Sequence, residues 1–207
     1  MSKIKETIDS IVKASVAPTL RAAGFKGSGR NFHAKGDGGL YRIVNVQASQ
    51  SNIGDTGKFT INLGIFYPEF ARLVGKRIGG EIPAEPECTI RRRIGEIMPG
   101  GQDLWWNIGP EISVEATQRD VRLALTDFGI PWLSQAWDVN MLAQDRLAQR
   151  PMVGGVVAFM NGDKEKARAL LQQTYDENKL GRGNIVAAAE RMGIDLVRAA
   201  RPSHNSM

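Results

Sequence analysis

Apolar and polar positions change rhythm several times along this chain, alternating between the spacing of helices and that of strands. Ile4, Ile8, Ile11 and Val12 recur at helical spacing, with lysines and glutamates on the other side. Pro18 is expected to kink or restart that helix and Gly24 to stop it. From Gly27 the period falls to two. The strings RNFHAK and YRIVNVQAS, separated by GDGG, predict two short strands of a hairpin. KFTINLGIFYP gives the clearest alternation, with Phe59, Ile61, Leu63, Ile65 and Tyr67 against Thr60, Asn62, Gly64 and Phe66. EFARLVGKRI reads as a short helix. CTIRRRIGEI and DLWWNI then flank MPGGQ as a second predicted hairpin.

Helical spacing returns in SVEATQRDVRLALTDFG, with Ser113 as N-cap, Gly129 as stop, and a buried stripe of Val121, Leu125 and Phe128. From Pro131 onward the pattern predicts only helices: PWLSQAWDVNMLAQDRLAQ, MVGGVVAFMN, DKEKARALLQQTYDEN and NIVAAAERMG. The expected fold is α+β. A mainly antiparallel sheet of about five strands carries helices on one face, in residues 1–130, and a helical C-terminal region follows in 131–207.

Alternation also sorts the strand residues onto two faces. If the odd positions of 59–67 face the helices, then Asn45, Gln47, Thr60 and Asn62 share the opposite face, joined by His33 with Asn31 and Lys35. Ile90 and Ile94 point inward, so Arg91 and Arg93 point to the polar side and Cys88 to the core side. Arg92 falls on the apolar face and needs a partner, because an unpaired buried guanidinium is costly. Of Trp105 and Trp106, one should lie on each face, the inward one in the core and the outward one free to stack. The candidate ligand-binding set is therefore His33, Asn45, Gln47, Thr60, Asn62, Arg91, Arg93, Trp105 and Trp106.

Composition narrows the chemistry. The longest apolar run, Met152 to Met160, is too short to cross a bilayer. The charged N-terminus has no secretory h-region, and a single cysteine permits no internal disulfide, so a cytoplasmic setting is expected. The net charge of +5 sits in the first half, where 15 basic residues face 9 acidic ones, against 12 and 13 in the rest. That imbalance favours an anionic partner. Two histidines, one of them His204 in the tail RPSHNSM, and one cysteine give no zinc spacing. LVGKRIGG lacks the flanking residues of a P-loop, and GFKGSGRN has the reverse element order of a dinucleotide site. No catalytic residue can be named from these patterns, and no metal or cofactor is expected.

Several motifs recur in a fixed order: Leu20, Gly24 and Phe25; Asn45 and Gln47; Phe59, Asn62 and Gly64; Cys88, Arg93 and Ile94; then Trp105 and Trp106. Over residues 16–130 this pattern resembles the bacterial family called domain of unknown function 4304. The resemblance implies a fold but no activity, substrate or cofactor. The functional expectation is a non-enzymatic binding protein using the polar, basic sheet face for another protein or a small anionic ligand. The alternatives are an enzyme on a phosphate- or carboxylate-bearing substrate, with Arg91 and Arg93 as anion clamps, and nucleic-acid binding by the basic half.

Overall fold

The structure, a computed structural model, describes residues 3–197. It divides into two compact units, residues 3–68 with 77–137, and residues 69–76 with 138–197. His204 and the tail lie outside the described residues.

The first unit begins with a helix in three parts: α1 (Lys3–Ile11), a π-turn (Val12–Val16) and α2 (Ala17–Ala22). The cause is Pro18, which has no N–H and whose ring would strike the carbonyl four residues back. The wider turn absorbs the mismatch, with Ala17 N–H donating to Val12 O. Gly24, at φ 84°, ends the helix as expected, and Phe25 N–H returns to Leu20 O.

The sheet follows: β1 (Lys26–Ser28), β2 (Asn31–Lys35), β3 (Tyr41–Ala48) and β4 (Gly57–Phe66) form an antiparallel meander in chain order. α3 (Pro68–Val74) leads away, and β5 (Ile90–Arg93) and β6 (Trp106–Ile108) return. The hairpin expected between β5 and β6 does not form. Both pair antiparallel with β4, β5 along Asn62–Ile65 and β6 along Gly57–Phe59. Gly95 decides this. It opens a 3-10 turn (Ile94–Ile97), and a side chain there would meet the backbone of Gln102 and Leu104. The chain folds back on itself at that point, and β6 continues along the edge that β5 leaves.

The second long helix repeats the device of the first. α4 (Val114–Ala124) is capped by the Ser113 hydroxyl accepting from Ala116 N–H. It does not stop at Gly129, but passes through a π-turn (Leu125–Gly129) into α5 (Ile130–Leu133). Pro131 follows this π-turn at the distance at which Pro18 follows the first. The pitch change leaves Phe128 half-exposed, and the buried stripe is Thr117, Val121, Ala124 and Leu125. Ser15, in the first π-turn, donates to Gln118 O at 2.6 Å and ties the two helices together.

The odd-numbered side chains of β4 are fully buried beside Phe32, Val44, Val46, Ile90 and Ile94. This is the apolar core; Ile94 meets the second helix at Gly129. Arg92 lies in register with Leu63 on this face at the sheet edge and stays partly exposed. Its Nη1 donates to the carbonyl of Arg91 at 2.8 Å.

The second unit contains α3, α6 (Val139–Gln144), a 3-10 turn (Arg146–Gln149), α7 (Pro151–Met160), α8 (Lys164–Glu177) and α9 (Arg182–Arg191). The long helix expected from Pro131 is broken instead: Trp137 closes the first unit, and Asp138 caps α6. Adjacent glycines let α7 pack closely. A Cβ on Gly154 would meet Ala148 O at 2.6 Å, and one on Gly155 would meet Leu171 at 2.9 Å. Arg191 closes α3, its Nη1 donating to Leu73 O at 3.3 Å. Among the described residues no helix is long and apolar enough to cross a membrane.

Candidate functional site

Strand register arranges the outward face in cross-strand rows. One row runs Ser28, Asn31, Asn45, Asn62, Arg93; its neighbour runs Lys26, His33, Ile43, Gly64, Arg91. The first row is an amide ladder. Asn45 Nδ2 donates to Asn31 Oδ1 at 2.8 Å, while Asn62 Nδ2 donates to Asn45 Oδ1 at 3.4 Å and Gln47 Oε1 at 2.7 Å. Thr60, in register with Gln47, donates to Leu104 O at 2.8 Å.

The middle of this face is dry. Thr60 is 0% exposed, Asn62 5%, Ile43 3% and Phe66 4%. Part of the cover comes from the turn before β5. Cys88 sits over Gly64, whose Cβ would lie 2.5 Å from Sγ. Cys88 therefore lies on the polar side, against the expectation that it faces the core. Parity fails because β5 starts only at Ile90. Glu85, 4% exposed in the same turn, receives Arg91 through two bonds, Nε to Oε1 at 2.8 Å and Nη2 to Oε2 at 3.1 Å. This fork holds the Arg91 guanidinium above its ordinary pKa, mainly through the hydrogen bonds to Glu85.

The end of the amide ladder is more open. Arg93 Nη1 donates to Asp103 Oδ2 at 2.6 Å, and Trp105 Nε1 donates to the same oxygen at 2.9 Å. The guanidinium lies 4.9 Å from the Trp105 ring centroid, and the Lys58 ammonium lies 5.2 Å from it. The indole hydrogen bond first, and that of Arg93 second, lower the pKa of Asp103. Beyond Lys58 a concavity of about 460 Å³ opens between the loop after β3 and the loop after β6, reaching Asn52, Asn107 and Ile112.

The structure thus joins Asn45, Gln47 and Asn62 in one network, places Thr60 beside it in register with Gln47 but bonded to Leu104 O, and sets Arg93 and Trp105 at its end. Arg91 is on the same face but held by Glu85. His33 is half-buried in the neighbouring row, between Lys26 and Ile43. Trp106 is on the other face, stacked on Phe59 at 5.4 Å in the core. Three participants escaped the sequence reading. Lys58 shares the parity of Thr60 and Asn62 and was open to detection; Asp103 and Glu85 lie in irregular segments where no periodicity places a side chain.

An antiparallel sheet with helices on one face and a hydrogen-bonded polar face on the other defines an α+β protein. The chain belongs to the family described as Domain of unknown function (DUF4304), whose model matches residues 16–135. The matched segment contains all six strands and ends before α6. No curated protein and no solved structure matches the chain significantly.

Proposed function

We propose that this chain is a non-enzymatic binding protein that engages another protein through the outward face of its sheet. The observation that carries this reading is Trp105. A partly exposed indole is fixed by its own N–H on Asp103 and flanked by two cations, Arg93 and Lys58. Pre-ordered tryptophan and arginine side chains are the groups on which protein interfaces concentrate their binding energy. The amide ladder beside them presents polar groups already ordered by the sheet, so little side-chain entropy remains to be lost on docking. The anion-clamp enzyme reading has less support, since Arg91 and Arg93 already carry carboxylate partners. A single cysteine accords with a cytoplasmic setting.

A photo-crosslinking residue at Gln47, compared with one at Lys166 on α8, tests the reading in the source cells. The Gln47 probe is expected to capture one protein that the Lys166 probe does not. Titrated with that protein, Trp105→Ala and Arg93→Ala should each weaken binding by roughly tenfold to a hundredfold. Equal capture from both positions, or unchanged affinity in both variants, overturns the proposal.

A further inference from the structure

A second site lies away from the Trp105 face, where the first helix meets the β1–β2 hairpin. A concavity of about 320 Å³ is bordered by Asp9, Lys13, Ala17 and Arg21 from the helix and by Ser28 and Gly29 from the hairpin. Every fourth residue of the helix faces it. On a regular α-helix such a row drifts by about 40° at each step, because four residues exceed one turn. The π-turn at Val12–Val16 has more residues per turn and takes back part of that drift, so Lys13 and Arg21 border one cavity.

The charge is concentrated here as well. Between Lys3 and Lys35 there are seven basic residues and two acidic ones. The acidic group at the cavity, Asp9, is already neutralised by Arg30 Nε at 2.8 Å. Lys13 and Arg21 are exposed and remain as its net positive charge. The floor is apolar, made by the buried Val12, Ala17 and Phe32. Gly29, at φ 56°, turns the hairpin as the first of its two central residues, and the space where its side chain would stand is open. Ser28 and Gly29 therefore border the cavity from the hairpin side.

We propose that this concavity binds a small phosphate monoester bearing an apolar substituent. Lys13 and Arg21 meet the phosphate, and Val12, Ala17 and Phe32 receive the substituent. The site stands apart from the protein-binding reading of the sheet face. The full chain is titrated with phenyl phosphate and with inorganic phosphate, followed by calorimetry and by amide shifts in NMR spectra. Phenyl phosphate should bind saturably, more tightly than inorganic phosphate, with shifts centred on residues 9–21 and 28–32. Lys13→Ala and Arg21→Ala should each weaken it roughly tenfold, the loss expected for one charge-assisted hydrogen bond, while Arg93→Ala leaves it unchanged. Because both side chains are solvent-exposed, these variants should fold, which circular dichroism checks. Absence of saturation, shifts centred on Trp105, or unchanged affinity in both variants overturns the proposal. So does tighter binding of an oligonucleotide than of phenyl phosphate at equal phosphate concentration, which marks a surface that tracks a nucleic-acid backbone.

Discussion

The two faces of β4 are both dry, and they are held by different forces. On the helix side, Phe59, Ile61, Leu63 and Ile65 are fully buried in apolar packing. On the outward side, Thr60 and Asn62 are nearly as buried, yet each polar group donates a hydrogen bond to a neighbour. Apolar burial is non-directional and scales with area, whereas a buried amide is tolerated only where its partner is in place. The helix face therefore supplies most of the stability, and the outward face supplies a fixed pattern of polar groups.

Substitutions should separate the two contributions. Leu63→Ala removes a fully buried side chain and should cost about 2–5 kcal/mol in urea unfolding, the largest effect here. Gly64→Ala, one residue along on the other face, drives a methyl into Cys88 and should cost about 1–3 kcal/mol by overpacking. Adding Cys88→Ala should recover part of that loss. A double mutant no more stable than Gly64→Ala alone would show that the Cys88 sulfur is not the obstacle, leaving its Cβ, which would lie 2.8 Å from the added methyl.

Asn62→Ala should cost less, about 1–2 kcal/mol, because the acceptors it leaves, Gln47 and Asn45, are half-exposed and water replaces the lost bonds. A loss as large as that of Leu63→Ala would mean that the amide ladder, too, supports the fold. The smallest effect belongs to Asp103. Its carboxyl pKa is depressed in the folded state, so its contribution is present above the ordinary aspartate range and disappears as pH falls through the lowered value. Thermal melts of the wild type and Asp103→Asn should therefore differ most at neutral pH and converge in acid. A gap that widens in acid would reverse the assignment.

Much of the sheet was legible because alternation is a strong local signal. β2, β3 and β4 fall where the period-two runs lie, and parity alone brought Asn45, Gln47, Thr60 and Asn62 to one face. The signal fades where strands are short. β5 has four residues and β6 three, so neither carries enough repeats to report its partner, and an expected hairpin became two segments sharing one edge of β4. Cys88 went to the wrong face for the same reason: parity was extended past the start of the strand. Gly129 read as a helix stop because glycine commonly ends helices, yet here Pro131 imposed a π-turn and the helix continued.

By itself, the sequence determined the α+β class, the helix-facing core and the membership of the polar row, since each follows from periodicity within a single element. Only the tertiary structure decided which of the three consecutive arginines has which duty. Arg91 is tied to Glu85, Arg92 to the carbonyl of Arg91, and Arg93 to Asp103 and the face of Trp105. Alternation sets the side from which a side chain leaves a strand. The carboxylates that meet Arg91 and Arg93 come from a turn and a loop outside the strand, and no periodicity places them there.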